Sequence, residues 1–166
     1  MKPNKLPTEV VSLLMPRLQD ELDAFYFYRS ASNWCENVGY LNAAKYFAAE
    51  SEDELKHAKK IEKFLTDWNV MPALPSIDQP EIKFKGLCDI FEQAYGIEYA
   101  LYEDYEKTSK KIFDIGDLCA FDFLQEFRTI QMTSVAEYST WLNKLELINE
   151  NDKFQLYVFE KEEFEG

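Results

Sequence analysis

Residues 52–65 read E-D-E-L-K-H-A-K-K-I-E-K-F-L, without proline or glycine, rich in helix formers, and with apolar residues returning at steps of three and four. On a helix of this register Glu54 shares a row with Phe47, Ile61 and Trp68 at intervals of seven, with His57 and Phe64 alongside. A carboxylate and the only histidine of the chain thus take positions that a helix bundle normally fills with hydrocarbon. Glu54 and His57 lie three residues apart, on one helix face, so both can reach a single ion. A lone E-x-x-H is common by chance as a solvated glutamate beside a surface histidine, so its weight depends on what the other helices bring opposite it.

Outward from this stretch, helix breakers are few. Five Gly and six Pro occur in 166 residues, most of them at Pro3 and Pro7, Gly39, Pro72 to Pro80, Gly86 and Gly116, and the segments between them read as helices. Helix A is expected near Thr8 to Val38, B near Asn42 to Asn69, C near Gly86 to Asp114 and D near Asp117 to Ile148, each on the order of 40 Å long. A short fifth helix is expected near Asp152 to Phe164. The A to B and C to D connections are so short that each pair forms an antiparallel hairpin. Val70 to Lys85, with three prolines, is long enough to run the length of the bundle as a B to C crossover. The expected fold is all-α, a single domain over residues 1–166: a four-helix bundle with a long crossover and a short C-terminal helix. Pro16 removes a backbone hydrogen bond, so helix A is expected to be properly formed only from Met15 onward.

The core rows of the other helices are interrupted as B is. A runs Leu14, Leu18, Glu21, Phe25, Tyr28, Ser32, Cys35; C runs Leu87, Phe91, Ala94, Glu98, Leu101, Tyr105, Thr108, Ile112; D runs Ala120, Leu124, Phe127, Gln131, Ser134, Tyr138, Trp141, Leu145. The interruptions fall near mid-helix, so antiparallel packing brings Glu21, Glu54, His57, Glu98 and Gln131 into one layer. Buried carboxylates without compensation cost several kcal/mol each, and no Lys or Arg of these rows shares the layer. Oxygen-rich ligation with one imidazole suits a pair of divalent iron ions, bridged by a carboxylate. Tyr28 lies within two turns of Glu21 and is a candidate to hydrogen-bond a ligand or serve redox chemistry, with simple packing as the alternative.

Composition agrees with a cation as ligand. Asp and Glu number 31 against 18 Lys and Arg, a net charge of −13, which disfavours nucleic acid and anionic membrane surfaces as partners. No apolar run approaches the roughly 20 residues of a membrane span and no leader is evident, so the expected location is cytoplasmic. Cys35, Cys88 and Cys119 are too scattered for a zinc site or a disulfide framework and are expected to be reduced packing residues.

With these residues in place, a resemblance emerges. D-E-L-D-A-F-Y-F-Y-R-S-A-S-N-W-C-E around Glu21, D-E-L-K-H-A-K-K-I-E-K-F-L around Glu54 and His57, and D-F-L-Q-E-F-R-T-I-Q ending at Gln131 resemble the bacterial-type non-haem ferritins, over nearly the whole chain including the tail L-Y-V-F-E-K-E. The resemblance implies an iron-storage protein and oxidoreductase, a ferroxidase oxidising Fe(II) with O2 or H2O2. Glu21, Glu54 and His57 would hold the first iron of the di-iron centre, Glu54 would bridge to a second held mainly by Glu98, and Gln131 would sit near the second ion. It also implies a homo-oligomer, a hollow shell of about 24 subunits storing ferric mineral.

The departures from that family are specific. The haem-binding subgroup has a second E-x-x-H where this chain has Gln131 and Ser134, and its axial methionine falls at Leu55, so no haem is expected. The acids of the family's third iron site are replaced by Ile130, Thr133 and Ser134, leaving Asp53. Asp114, Asp117 and Asp122 lie near the C to D turn, where the family lines an iron channel. Two other functions stand beside the first: a storage or structural subunit with weak ferroxidase activity that relies on a partner subunit, and a di-iron enzyme for an organic substrate, which Phe25, Tyr105 and Phe127 disfavour by filling the core. Phe27, Tyr40, Tyr46, Tyr95, Tyr99 and Tyr102 fall outside the core rows and are expected at subunit contacts or beneath the crossover, and the fifth helix is expected to dock where subunits meet.

Overall fold

The computed structural model describes residues 5–165. Among them there is no strand, and the elements are α1 (Thr8–Val38), α2 (Leu41–Asp67), α3 (Leu87–Ile115), α4 (Leu118–Leu145) and α5 (Lys153–Phe164). The sequence thus yields the all-α bundle it predicts. Two hairpins, α1–α2 and α3–α4, lie side by side and are joined by the crossover.

Three of the four long helices, α1, α2 and α3, end at a residue with positive φ. Gly39 (φ 98°) and Gly116 (φ 89°) take the left-handed conformation that closes a helix, and the N–H groups of Gly39 and Tyr40 both donate to the Cys35 carbonyl, at 3.0 and 2.9 Å. Asn69 does the same for α2 without glycine (φ 60°), Val70 donating back to the Leu65 carbonyl at 2.9 Å. Asp117 caps α4 by accepting from the Ala120 N–H at 2.9 Å, and Asp152 caps α5 by accepting from Phe154 and Gln155.

The crossover lies along α1. Gln19 Nε2 donates to the Ser76 carbonyl at 3.1 Å, the Ser30 hydroxyl donates to the Glu81 carbonyl, and buried Phe84 packs edge-on against Phe27 and Trp34. Phe27 is therefore buried beneath the crossover. Tyr40 stacks on Trp34, whereas Tyr95, Tyr99 and Tyr102 form a ladder along the outside of α3 with Tyr99 exposed.

Three expectations change, concerning Pro16, Phe25 and Cys119. Helix α1 runs unbroken from Thr8 with Pro16 inside it; Pro16 is exposed, so the carbonyl it leaves unpaired can meet water, while Val10, Leu14 and Leu18 are fully buried on the opposite side and hold the first turns in place. Phe25 is only half-buried, and Ala24, Phe27 and Ala31 take core positions beside the expected row. Cys35 is buried and Cys88 half-buried, but Cys119 is exposed rather than a core packing residue. Helix α5 covers its own bundle: Leu156 and Phe159 are buried, Phe164 packs on Tyr46, Phe91 and Trp141, and only Phe154 and Tyr157 face outward. Glu160 fastens it, its carboxylate accepting from the N–H groups of Asn42 and of Ala43, the latter at 2.9 Å, at an α2 N-terminus that has no side-chain cap of its own.

Candidate metal centre

All eight positions of the α3 row are buried, as are seven of the eight on α4, Ser134 being half-buried. With the rows facing inward, the interrupting residues meet. One ligand atom each from Glu21, Glu54 and His57 lie within 4.8 Å of one another. His57 Nδ1 is 3.4 Å from Glu21 Oε2 and 3.4 Å from Glu54 Oε2, close to the roughly 3 Å edge of a coordination octahedron about 2.1 Å in radius. Glu21 Oε2 is buried without a hydrogen-bond donor, as an oxygen waiting for a cation is.

Glu98 and Gln131 lie alongside, paired with each other. Gln131 Nε2 donates to Glu98 Oε2 at 2.9 Å, and the Tyr28 hydroxyl donates to Glu98 Oε1. On the other side of the layer the Tyr105 hydroxyl donates to Glu21 Oε1. Tyr28 and Tyr105 are both fully buried. Tyr28 stacks between Phe47 and Tyr138; Tyr105 stacks on Phe127, whose ring meets the His57 imidazole edge-on. Tyr105 was legible only as a core filler, because a phenol at an apolar position reads as packing until its hydroxyl is seen to have a partner.

The charges of this layer are uncompensated. Burial, and then the closeness of Glu21, holds the Glu54 carboxyl well above the ordinary range. Burial acts on Glu21 in the same direction, yet its contacts with Glu54, His57 and Tyr105 hold it below that range. Burial, only partly offset by the Tyr28 hydroxyl, pushes Glu98 up to about 8. Burial and neighbouring acidic groups also raise Tyr28 and Tyr105 well above the usual phenol range, which keeps both hydroxyls protonated donors. Arg17 is buried one turn from Glu21, a cation the core rows did not include, but it is paired with Asp20 at 2.7 Å and Asp104 at 3.6 Å. Arg17 is therefore not free to neutralise the carboxylates of this layer.

Farther out, Asp117 is engaged as a helix cap and Asp114 pairs with Lys110 at 3.0 Å, so of the acids near the α3–α4 turn Asp122 alone is exposed without such a bond. Asp53 pairs with Lys56 at 2.7 Å.

Residues 11–148 match the family model described as the ferritin-like domain. The chain belongs to the ferritin-like family. This ferritin-like chain is 30% identical over 146 residues to the bacterial non-heme ferritin of Campylobacter jejuni, covering 88% of this chain and 87% of that one. It is 26% identical to a probable bacterial non-heme ferritin-like protein of Haemophilus influenzae, covering 95% and 94%. Its fold matches that of an open pore ferritin from the archaeon Archaeoglobus fulgidus with a TM-score of 0.90 at 22% identity, over 95% of this chain and 97% of the other. No helix of the described residues is long and apolar enough to cross a membrane.

Proposed function

We propose that this ferritin-like protein stores iron and acts as a ferroxidase, oxidising Fe(II) at a di-iron centre within each subunit. The convergence of Glu21, Glu54 and His57 ligand atoms in a buried layer without a free cation carries the reading. Glu21 and His57 would hold the first ferrous ion, Glu54 would bridge, and Glu98 would hold the second, with Gln131 beside it. Two ferrous ions give one electron each to dioxygen, which takes up two protons and leaves as peroxide; peroxide as oxidant takes two electrons and two protons to give two waters. Tyr28, whose hydroxyl donates to Glu98, would keep that carboxylate oriented and is a candidate for redox chemistry beside it.

The ferric product would be stored inside a cytoplasmic homo-oligomeric shell of about 24 subunits. Exposed Met71, Leu74 and Ile82 on the crossover and the Tyr99 face of α3 supply apolar surface that neighbouring copies would bury. The complete first-site triad favours an active subunit over one that depends on a partner for oxidation.

Anaerobic Fe(II) titration followed by oxygen, read by absorbance alongside light scattering, tests both halves of this reading. The expected result is a fast phase of about two Fe(II) per subunit in an assembly far larger than a dimer. A fast phase near three, or none, would overturn the centre as described, and a stable monomer would overturn the shell.

A further inference from the structure

We propose that Tyr105 is a positioning residue for the first metal ion, its hydroxyl holding one oxygen of Glu21 so that the other alone is presented beside His57. The proposal rests on the di-iron reading above and concerns how one ligand is aimed.

The two oxygens of Glu21 have different surroundings. Oε1 accepts the Tyr105 hydroxyl, while Oε2 has no donor and faces His57 Nδ1 at 3.4 Å. A carboxylate free at both oxygens can rotate, or take a metal through both; one fixed by a phenol at Oε1 leaves Oε2 as its one unbonded oxygen. Tyr105 is itself fixed. Its ring is fully buried, stacks on Phe127 with centroids 5.2 Å apart and planes 22° from parallel, and has the Arg17 guanidinium 5.9 Å from its centroid. Arg17 is tied to Thr108 Oγ1 at 3.1 Å and to Asp20 at 2.7 Å. Because Phe127 also meets His57 at 5.9 Å, the same aromatic pair braces both ligands that flank the first ion.

The test uses the intact, metal-stripped protein and Co(II) under anaerobic conditions, since the visible absorption of Co(II) reports its coordination and needs no turnover. Tyr105→Phe and Tyr105→Leu are compared with wild type and with Tyr46→Phe, which removes another buried hydroxyl, one not bonded to Glu21 or His57. Circular dichroism confirms that each variant remains helical, and Leu serves where the Phe variant does not fold. Loss of the Tyr105 hydroxyl is expected to weaken the first Co(II) by about 10- to 100-fold and to change its absorption spectrum, with Tyr46→Phe like wild type. Wild-type affinity and an unchanged spectrum in the Tyr105 variants overturn the positioning role alone, as does an equal loss in Tyr46→Phe. Absence of Co(II) binding by the wild-type protein overturns the metal centre, and this proposal with it.

Discussion

Replacing Glu98 by Gln should stabilise the metal-free protein, by an amount that depends on pH. Burial first, then the Tyr28 hydroxyl opposing it and Glu50, Glu21 and Glu137 reinforcing it, leave the Glu98 carboxyl titrating at about 8 in the folded chain rather than at 4.5. Between those values the folded state keeps a proton that the unfolded chain has released, so this group lowers stability by about 1.4 kcal/mol per pH unit as pH rises. Below pH 4.5 it costs nothing; above about 8 the cost is complete, and the interval corresponds to on the order of 5 kcal/mol. The glutamine amide that replaces the carboxyl does not titrate and can still accept from Tyr28. Wild type and variant should therefore melt together near pH 4.5 and diverge above it, the gap reaching about 10–20 °C at pH 8 for a chain of this size. Thermal melts of chelator-treated protein, followed by circular dichroism at fixed concentration from pH 4.5 to 8.5, measure this directly. A divalent ion should then raise the wild-type midpoint far more than the variant's. Parallel pH dependence in the two proteins would refute the reasoning, since it would mean that Glu98 is no more costly folded than unfolded.

Replacing His57 by Ala should abolish the fast phase of iron oxidation while the helical signal persists, because the imidazole is the one nitrogen among the proposed ligands; wild-type rates would remove His57 from the chemistry. Glu160→Ala strips the α2 N-terminus of its acceptor and should cost about 1–3 kcal/mol, read as a lower melting midpoint and faster proteolysis within α5; an unchanged midpoint would show that the contact is incidental. Protein purified from haem-replete cells should lack a Soret band, because Leu55 offers no thioether; a band scaling with protein concentration would contradict this.

Much of this was legible in the sequence because the breakers are few and well placed. Gly39 and Gly116 are the helix stops they were expected to be, and the prolines from Pro72 to Pro80 mark a segment with no helix. The α3 row, read at threes and fours, is buried at every position, since a helix facing three neighbours tolerates no drift. What could not be read depends on atoms that meet only after folding. Pro16 looked like a break because a lost backbone bond is visible in sequence while the burial of Val10 and Leu14 is not. Phe25 and Phe27 are equivalent in composition, and only the position of Phe84 decides which is covered. Arg17 reads as a surface charge until Thr108, Asp20 and Asp104 are brought around it. The E-x-x-H of α2 was visible because charge at an apolar position is a contradiction; Tyr105 raised none.

The two tyrosines of the centre also divide it along the chain. Glu21, Glu54 and His57 all come from the α1–α2 hairpin, Glu98 and Gln131 from the α3–α4 hairpin, and the crossover is the covalent tie between them. Yet the phenols are exchanged: Tyr28 of the first hairpin serves Glu98 of the second, and Tyr105 of the second serves Glu21 of the first. Neither half-site is finished within its own hairpin. Each hairpin lends its partner one proton donor, so docking the halves and orienting the proposed ligands are the same event.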